Sequence, residues 1–336
     1  MARQGGPSSE LELSAGALIV GWQFPANAPA RELAPGDVPA ALGVVDAVTW
    51  LHFSLADARA AHFLANSTLL PARVLAALAE RDSLPGASAC DAGLLVVMND
   101  LSFDAQIEFE ERTTLWAFAT PRLAVTVRSH PARSADALRL AVRDGERFAS
   151  GIDVVARLYE LRTEALEKIV GDHGEQVGDI EDQVLGGRIS QQREALGRIR
   201  RQCGRIRRYF VSDRTVIAKL LTRLPPWFRH EDGERFAHIG EDLAFLLEEV
   251  GELYERAKLL QEELGSRLAE DTNRRLFVLS TLSAVLMPMT LVTGIWGMNA
   301  GGMPGLESEA GFWWLLLGIA AVGAATLWVL RRSRLL

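Results

Sequence analysis

Two stretches decide the fold: Leu276 to Ile295 reads LFVLSTLSAVLMPMTLVTGI, and Phe312 to Leu330 reads FWWLLLGIAAVGAATLWVL. Neither contains a charged residue, and each is close to the roughly 20 residues that cross the hydrocarbon core of a bilayer. They read as two transmembrane helices. Arg274 and Arg275 precede the first, and Arg331, Arg332 and Arg334 follow the second. The connecting segment from Gly297 to Gly311 carries only Glu307 and Glu309. The positive-inside rule therefore puts both chain ends in the cytoplasm and the loop outside. Trp296, Trp313, Trp314 and Trp328 fall at the ends of the spans, where amphipathic rings prefer to sit.

Upstream of the spans the chain is helical almost throughout from Gly151. From Gln191, apolar residues recur at steps of three and four (Leu196, Ile199, Cys203, Ile206, Phe210, Ile217, Leu220, Leu224), with Asp213 taking one turn of the repeat. Pro225 and Pro226 end that series. A second runs through Phe236, Ile239, Leu243, Leu246, Val250, Leu253, Ala257, Leu260 and Leu264, four heptads of a coiled-coil-like seam. No proline separates it from the first span, so one helix from about residue 232 to about 297 would be on the order of 100 Å long. Arg198, Arg200, Arg201, Arg205, Arg207 and Arg208 form a basic run. Folding the hairpin about residue 228 sets it opposite Glu248, Glu249, Glu252 and Glu255, so mutual neutralisation, or a solvated face, explains the run better than phosphate binding.

Between Ala17 and Val127, β-branched runs at 16–24, 47–55, 93–100, 114–120 and 123–129 alternate with helical patterns at 71–81 and 134–148. The expected layout is an α+β membrane protein. It has a cytoplasmic α/β domain over 1–150, with a frayed start to Leu13, and a cytoplasmic helical stalk over 151–275. A transmembrane helix over 276–297, a periplasmic loop over 298–311, a second transmembrane helix over 312–330 and a basic cytoplasmic tail over 331–336 complete it.

Composition narrows the function. A net charge of −7 argues against a nucleic-acid binder, which needs a basic surface to displace counterions. Cys90 and Cys203 sit in no CxxC or Cys/His spacing, so reduced thiols are expected rather than a disulfide or a thiolate zinc site. His52, His62 and His130 are isolated and read as core or surface residues. No phosphate loop, GxSxG or HExxH occurs and no nucleophile is paired with a base, so neither an enzyme nor a cofactor is expected.

Two spans cannot enclose a water-filled path, so a chain that conducts ions must surround an axis with copies of itself. The first span is the candidate lining. Asn273, Leu276, Leu279, Ser283, Met287, Thr290, Gly294 and Asn299 follow one another at steps of three to five, on roughly one helical face. The second span has Thr326 alone among polar side chains and reads as an outer helix. For Ser283 and Thr290, bonding to their own backbone or a neighbouring helix is an equal alternative. A membrane-anchored scaffold or sensor is the competing reading from another class, and the polar stripe counts against it.

At the outer end of the first span stands Gly297-Met298-Asn299, followed by Ala300, Gly301, Gly302, Met303, Pro304 and Gly305. This resembles the Gly-Met-Asn signature of the CorA family of metal ion transporters, at that family's position between two C-terminal spans. The run PMTLVTGIWGMNAGGMPG, with TWLHFS at 49–54, IEDQVL at 180–185 and LPPWF at 224–228, resembles most its zinc-transporting ZntB branch. Met303-Pro304-Gly305 lacks the glutamate of the magnesium branch; Glu307 and Glu309 lie a few residues on.

The resemblance implies a homopentameric funnel in a bacterial-type inner membrane, with the lipid bilayer and divalent cations as its other partners. The implied cargo is zinc, with magnesium, cobalt or nickel as alternatives. Asn299 would offer a ring of carbonyl oxygens at the outer mouth, hydrogen-bonding the water shell of a cation. Gly297 would allow the tight helix exit, Met298 would pack behind the ring, and Leu276, Leu279 and Met287 would form an apolar constriction. The zinc branch also implies coupling to protons. With no carboxylate in either span, a coupling residue would lie in the funnel or the loop.

Overall fold

A computed structural model describes residues 18–80, 84–90, 93–100, 113–186, 192–298 and 310–332. The chain divides into two compact units, 1–260 and 261–336.

The first unit is built on a seven-stranded sheet: β1 (Leu18–Pro25), β2 (Arg31–Glu32), β3 (Ala47–Ser54), β4 (Gly86–Cys90), β5 (Gly93–Asp100), β6 (Thr113–Ala119) and β7 (Leu123–Arg128), in the order β2-β1-β3-β7-β6-β5-β4. β3 and β7 pair in parallel and every other neighbour is antiparallel. β5 and β6 are buried at every position, which requires cover on both faces and explains why GLLVVMND does not alternate. On one face Leu51, Phe53, Leu95, Trp116, Val125 and Val127 form a core with side chains from α1 (Val38–Leu42), α2 (Ala58–Asn66) and α3 (Ala72–Ala79). The alternate residues, Trp50, His52, Met98, Leu115 and Thr126 among them, are buried on the opposite face.

The helical part follows: α4 (Arg133–Arg143), α5 (Gly151–Leu185), α6 (Gln192–Thr222) and α7 (His230–Trp296). α5 starts hard against the β6–β7 turn. Ser150 caps it by accepting from the Asp153 N–H at 3.2 Å, and a Cβ on Gly151 would stand 2.3 Å from the Leu123 carbonyl oxygen and 2.4 Å from that of Thr120. Only glycine permits that approach.

α5 and α7 run parallel. Arg235 pairs with Glu160 and Arg256 with Glu181, each across the same offset of 75 residues. On α6 the seam Leu196, Ile199, Cys203, Ile206, Phe210, Ile217 and Leu220 is buried as the repeat predicts, and so is the seam of α7 from Phe236 to Leu264. At the break in the α6 repeat, Asp213 is fully buried and accepts from Arg162 Nη2 of α5 at 2.6 Å. Arg162 also lies over the rings of Tyr159 and Phe210, at 5.5 and 5.1 Å, and its Nε is 4.0 Å from Asp100 at the end of β5. Asp100 in turn accepts from the Ser134 backbone N–H and hydroxyl at the start of α4. The polar knot thus ties the sheet to three helices.

Of the two explanations expected for the arginine run, neutralisation is not what the structure has and the solvated face is, with Arg201, Arg207 and Arg208 exposed. Arg200, Arg201, Arg207 and Arg208 form no ion pair with Glu248, Glu249, Glu252 or Glu255 among the described residues; Arg198 bonds Glu194 within its own helix, and Glu255 bonds Lys258. The heptad position gives the reason. Arg201, Arg208, Glu248 and Glu255 fall at the outermost place of their repeats, five residues past a seam position, and so point away from the partner helix.

The second unit holds the last part of α7 and α8 (Gly311–Arg332), the two helices long and apolar enough to cross a membrane. The segment to 17, Asn299 with the rest of the loop to 309, including Glu307 and Glu309, and the tail from 333 lie outside the described residues.

Candidate functional site

The face of α7 that meets α8 is read from burial and packing. Between 276 and 296 the partly buried positions are Thr281, Val285, Pro288, Met289 and Val292. Gly323, the buried residue of α8, lies against Met289: a Cβ there would fall 1.9 Å from the Met289 methyl carbon. Leu315, Gly318, Ile319, Val322 and Thr326 continue the α8 side of the contact at helical spacing. The missing side chain at Gly323 makes room for Met289, and small residues at such contacts let helices associate without a hydrophobic drive.

At about 100° per residue, the five α7 contact positions centre almost opposite the stripe. Leu276, Leu279, Ser283, Met287, Thr290 and Gly294 are all exposed on the side away from α8, Leu279 by 60% and Met287 by 72%. Asn273 is exposed one turn before them. The described part of the stripe is therefore a free face that the chain's own second span leaves uncovered.

Its hydroxyls have a fixed polarity. Ser283 Oγ donates to the Leu279 carbonyl and Thr290 Oγ1 to that of Leu286, both at 2.9 Å. The backbone alternative weighed from sequence is thus realised. With the hydroxyl hydrogen committed, the oxygen lone pairs remain as acceptors on the stripe. The helix then ends by tightening: the Gly297 N–H bonds the Thr293 carbonyl at 2.8 Å, and the Met298 N–H bonds the Ile295 carbonyl at 3.3 Å, one residue closer in sequence. A Cβ at Gly297 would crowd the Thr293 oxygen at 3.2 Å. Met298 is 56% exposed among the described residues.

Among the described residues no three His, Cys, Asp or Glu side chains converge on a metal-sized site. His52 is buried with Nδ1 2.8 Å from Thr126 Oγ1, and burial, aided by Arg128, pushes its imidazole down to about 3. His62 and His130 are paired with Asn66 and Ser129 on the surface. Cys90 and Cys203 are free, buried thiols, and burial pushes Cys203 up to about 11.

Residues 45–332 match the profile of the family described as CorA-like Mg2+ transporter protein. The chain belongs to this family. It is 27% identical over 285 residues to the zinc transport protein ZntB of Pectobacterium carotovorum, covering 85% of this chain and 87% of that one. It is 28% identical over 287 residues to the divalent cation transporter CmaX of Pseudomonas aeruginosa, covering 85% and 86%. The structure of full-length CmaX superposes with a TM-score of 0.80 at 26% identity, over 94% of this chain and 98% of that one. The CorA magnesium transporter of Methanocaldococcus jannaschii has the same fold, with a TM-score of 0.76 at 16% identity over 94% and 98%. Both likenesses run the length of the chain, from α/β domain through the long helix to the two apolar C-terminal helices.

Proposed function

We propose that the chain is one subunit of a divalent-cation transporter in a bacterial-type inner membrane, with both ends in the cytoplasm and α7 lining a path shared by several copies. The observation that carries this reading is the orientation of the stripe. Family membership makes it a transporter of the CorA kind, and the apolar runs of α7 and α8 fit a bilayer. A polar stripe facing away from α8 needs a partner other than lipid, and an axis surrounded by copies supplies it.

In this reading Asn299 and its symmetry mates hold a hydrated cation at the outer mouth through side-chain oxygens, with Gly297 and Met298 shaping the turn behind them. Thr290 and Ser283 offer only acceptors, which suits a cation and the water it carries. Leu276, Leu279 and Met287 form a constriction that resists ions until it wets or widens. Zinc is the cargo we favour, because the relatives named as zinc transport proteins match over most of their length. Magnesium and cobalt are the alternative, since the family description and a neighbour of the same fold name magnesium. Zinc would cross largely hydrated, as the stripe has neither imidazole nor thiolate. A homopentamer closes the ring, and Glu307 and Glu309 add negative charge near its mouth.

The test is uptake of zinc, cobalt and magnesium into proteoliposomes, with a pH gradient imposed or abolished. Asn299→Ala should lower flux about tenfold, the worth of about one hydrogen bond to the hydrated cation. Unchanged flux of all three metals in that variant would contradict the proposal.

A further inference from the structure

The three stalk helices carry opposite charge on different faces, and one chain does not bring those faces together. The exposed side of α6 is basic: Arg201, Arg207, Arg208 and Arg214 stand on it without an ion-pair partner among the described residues, and Val211 is 45% exposed among them. The groove between α5 and α7 is acidic. A cavity of about 570 Å³ there is lined by Glu164, Glu167, Asp242 and Glu249, with Phe245, 68% exposed, also on its wall. Glu164 is met by Arg157, whereas Glu167, Asp242 and Glu249 have no ion-pair partner among the described residues.

The two faces also stand at the same height. The Arg162–Asp213 bond fixes the antiparallel register of α5 and α6, and the offset of 75 residues fixes the parallel register of α5 and α7. Those registers place Arg208 level with Glu167 and with Asp242, and Arg201 level with Glu249. Rotation about an axis running along the stalk preserves height. It carries the basic face of one subunit to the acidic groove of the next without any sliding, and the resulting head-to-tail contact closes into a ring.

We propose that neighbouring subunits dock by seating the Arg201–Arg214 face of α6 in the α5/α7 groove of the next copy, with Arg208 against Glu167 and Asp242. This rests on the reading of the chain as a ring-forming subunit and names the surface that forms the ring. Complementary charge sets partner and register, and Val211 and Phe245 supply apolar contact between the charged rims.

Disulfide trapping in the full-length chain tests it. Arg208→Cys and Asp242→Cys, placed on separate co-expressed chains, should form a linked dimer under mild oxidation. Arg208→Cys with Leu259→Cys, far from level, should form none, and neither should either single variant alone. In native mass spectra from detergent, Glu167→Arg with Asp242→Arg should lower the oligomer fraction at least tenfold. Adding Arg201→Glu and Arg208→Glu should restore it, which separates lost docking from lost folding. A wild-type oligomer that transports zinc, yet gives no Arg208–Asp242 link and is indifferent to the reversals, overturns the docking surface and spares the transport reading. A wild-type chain that is monomeric and carries no ion overturns both.

Discussion

Arg162 on α5 and Asp213 on α6 bond at 2.6 Å with side chains only 2% and 1% exposed, a charged pair set inside the apolar seam of the stalk. Burial raises the Asp213 carboxyl above the ordinary range despite the pull of Arg162. Such a pair contributes little net stability but is costly to break, because the survivor is left charged and dry. Asp213→Ala should therefore cost about 3–5 kcal/mol, read as a fall in the thermal unfolding midpoint of the solubilised chain. The joint change Arg162→Met with Asp213→Leu should recover most of that loss. A single variant as stable as wild type would remove the pair from the account of how the sheet and stalk are joined.

His52 gives the sheet a pH dependence of definite sign. The unfolded imidazole protonates near 6.5 and the folded one only at about 3, so below pH 6.5 the unfolded chain binds the extra proton. This contribution falls by about 1.4 kcal/mol per pH unit on acidification through that window, or about 2 kcal/mol between pH 7 and pH 5. His52→Gln should flatten the dependence of the urea unfolding free energy on pH by that amount relative to wild type. Equal slopes would mean that His52 protonates in place.

Gly151 is a packing requirement. The groups its Cβ would strike are backbone oxygens of the β6–β7 turn, which cannot swing aside as a side-chain tip could. Gly151→Ala should destabilise the first unit by at least about 2 kcal/mol, measured by the same melt. Gly171→Ala, where a Cβ meets nothing within 4 Å, is the tolerant control. Equal midpoints for the two variants would refute the close approach.

These tests fall where the sequence was least informative. Five strands were legible because Val, Ile, Leu and aromatic residues fill them, and α7 was legible from its unbroken seam. β4 was not. Its residues GASAC carry no β-branched or aromatic side chain, and what makes them a strand is pairing with β5. β2 is two residues long, and α2 is a short Ala-rich helix started by Asp57, whose side chain accepts from the Arg59 N–H at 2.9 Å. Asp213 was visible as a fault in the repeat, but its partner lies 51 residues earlier on another helix, a separation no local pattern reports. The pairing expected for the arginine run fails on two counts: folding about residue 228 sets Arg201 opposite Glu255, whereas the helix registers put it level with Glu249, and a hairpin does not say which way each side chain faces. The stripe needed α8 in place before its direction could be known.

The direction of that stripe is the central claim, and cysteine accessibility in liposomes measures it. Ser283→Cys and Thr290→Cys should react with a charged, membrane-impermeant thiosulfonate and lose zinc flux as they do. Val285→Cys and Val292→Cys, on the side facing α8, should not react; the buried Cys90 and Cys203 keep the background low. Contradiction would take one form: cysteines at 283 and 290 that ignore the charged reagent and react only with a lipid-soluble maleimide.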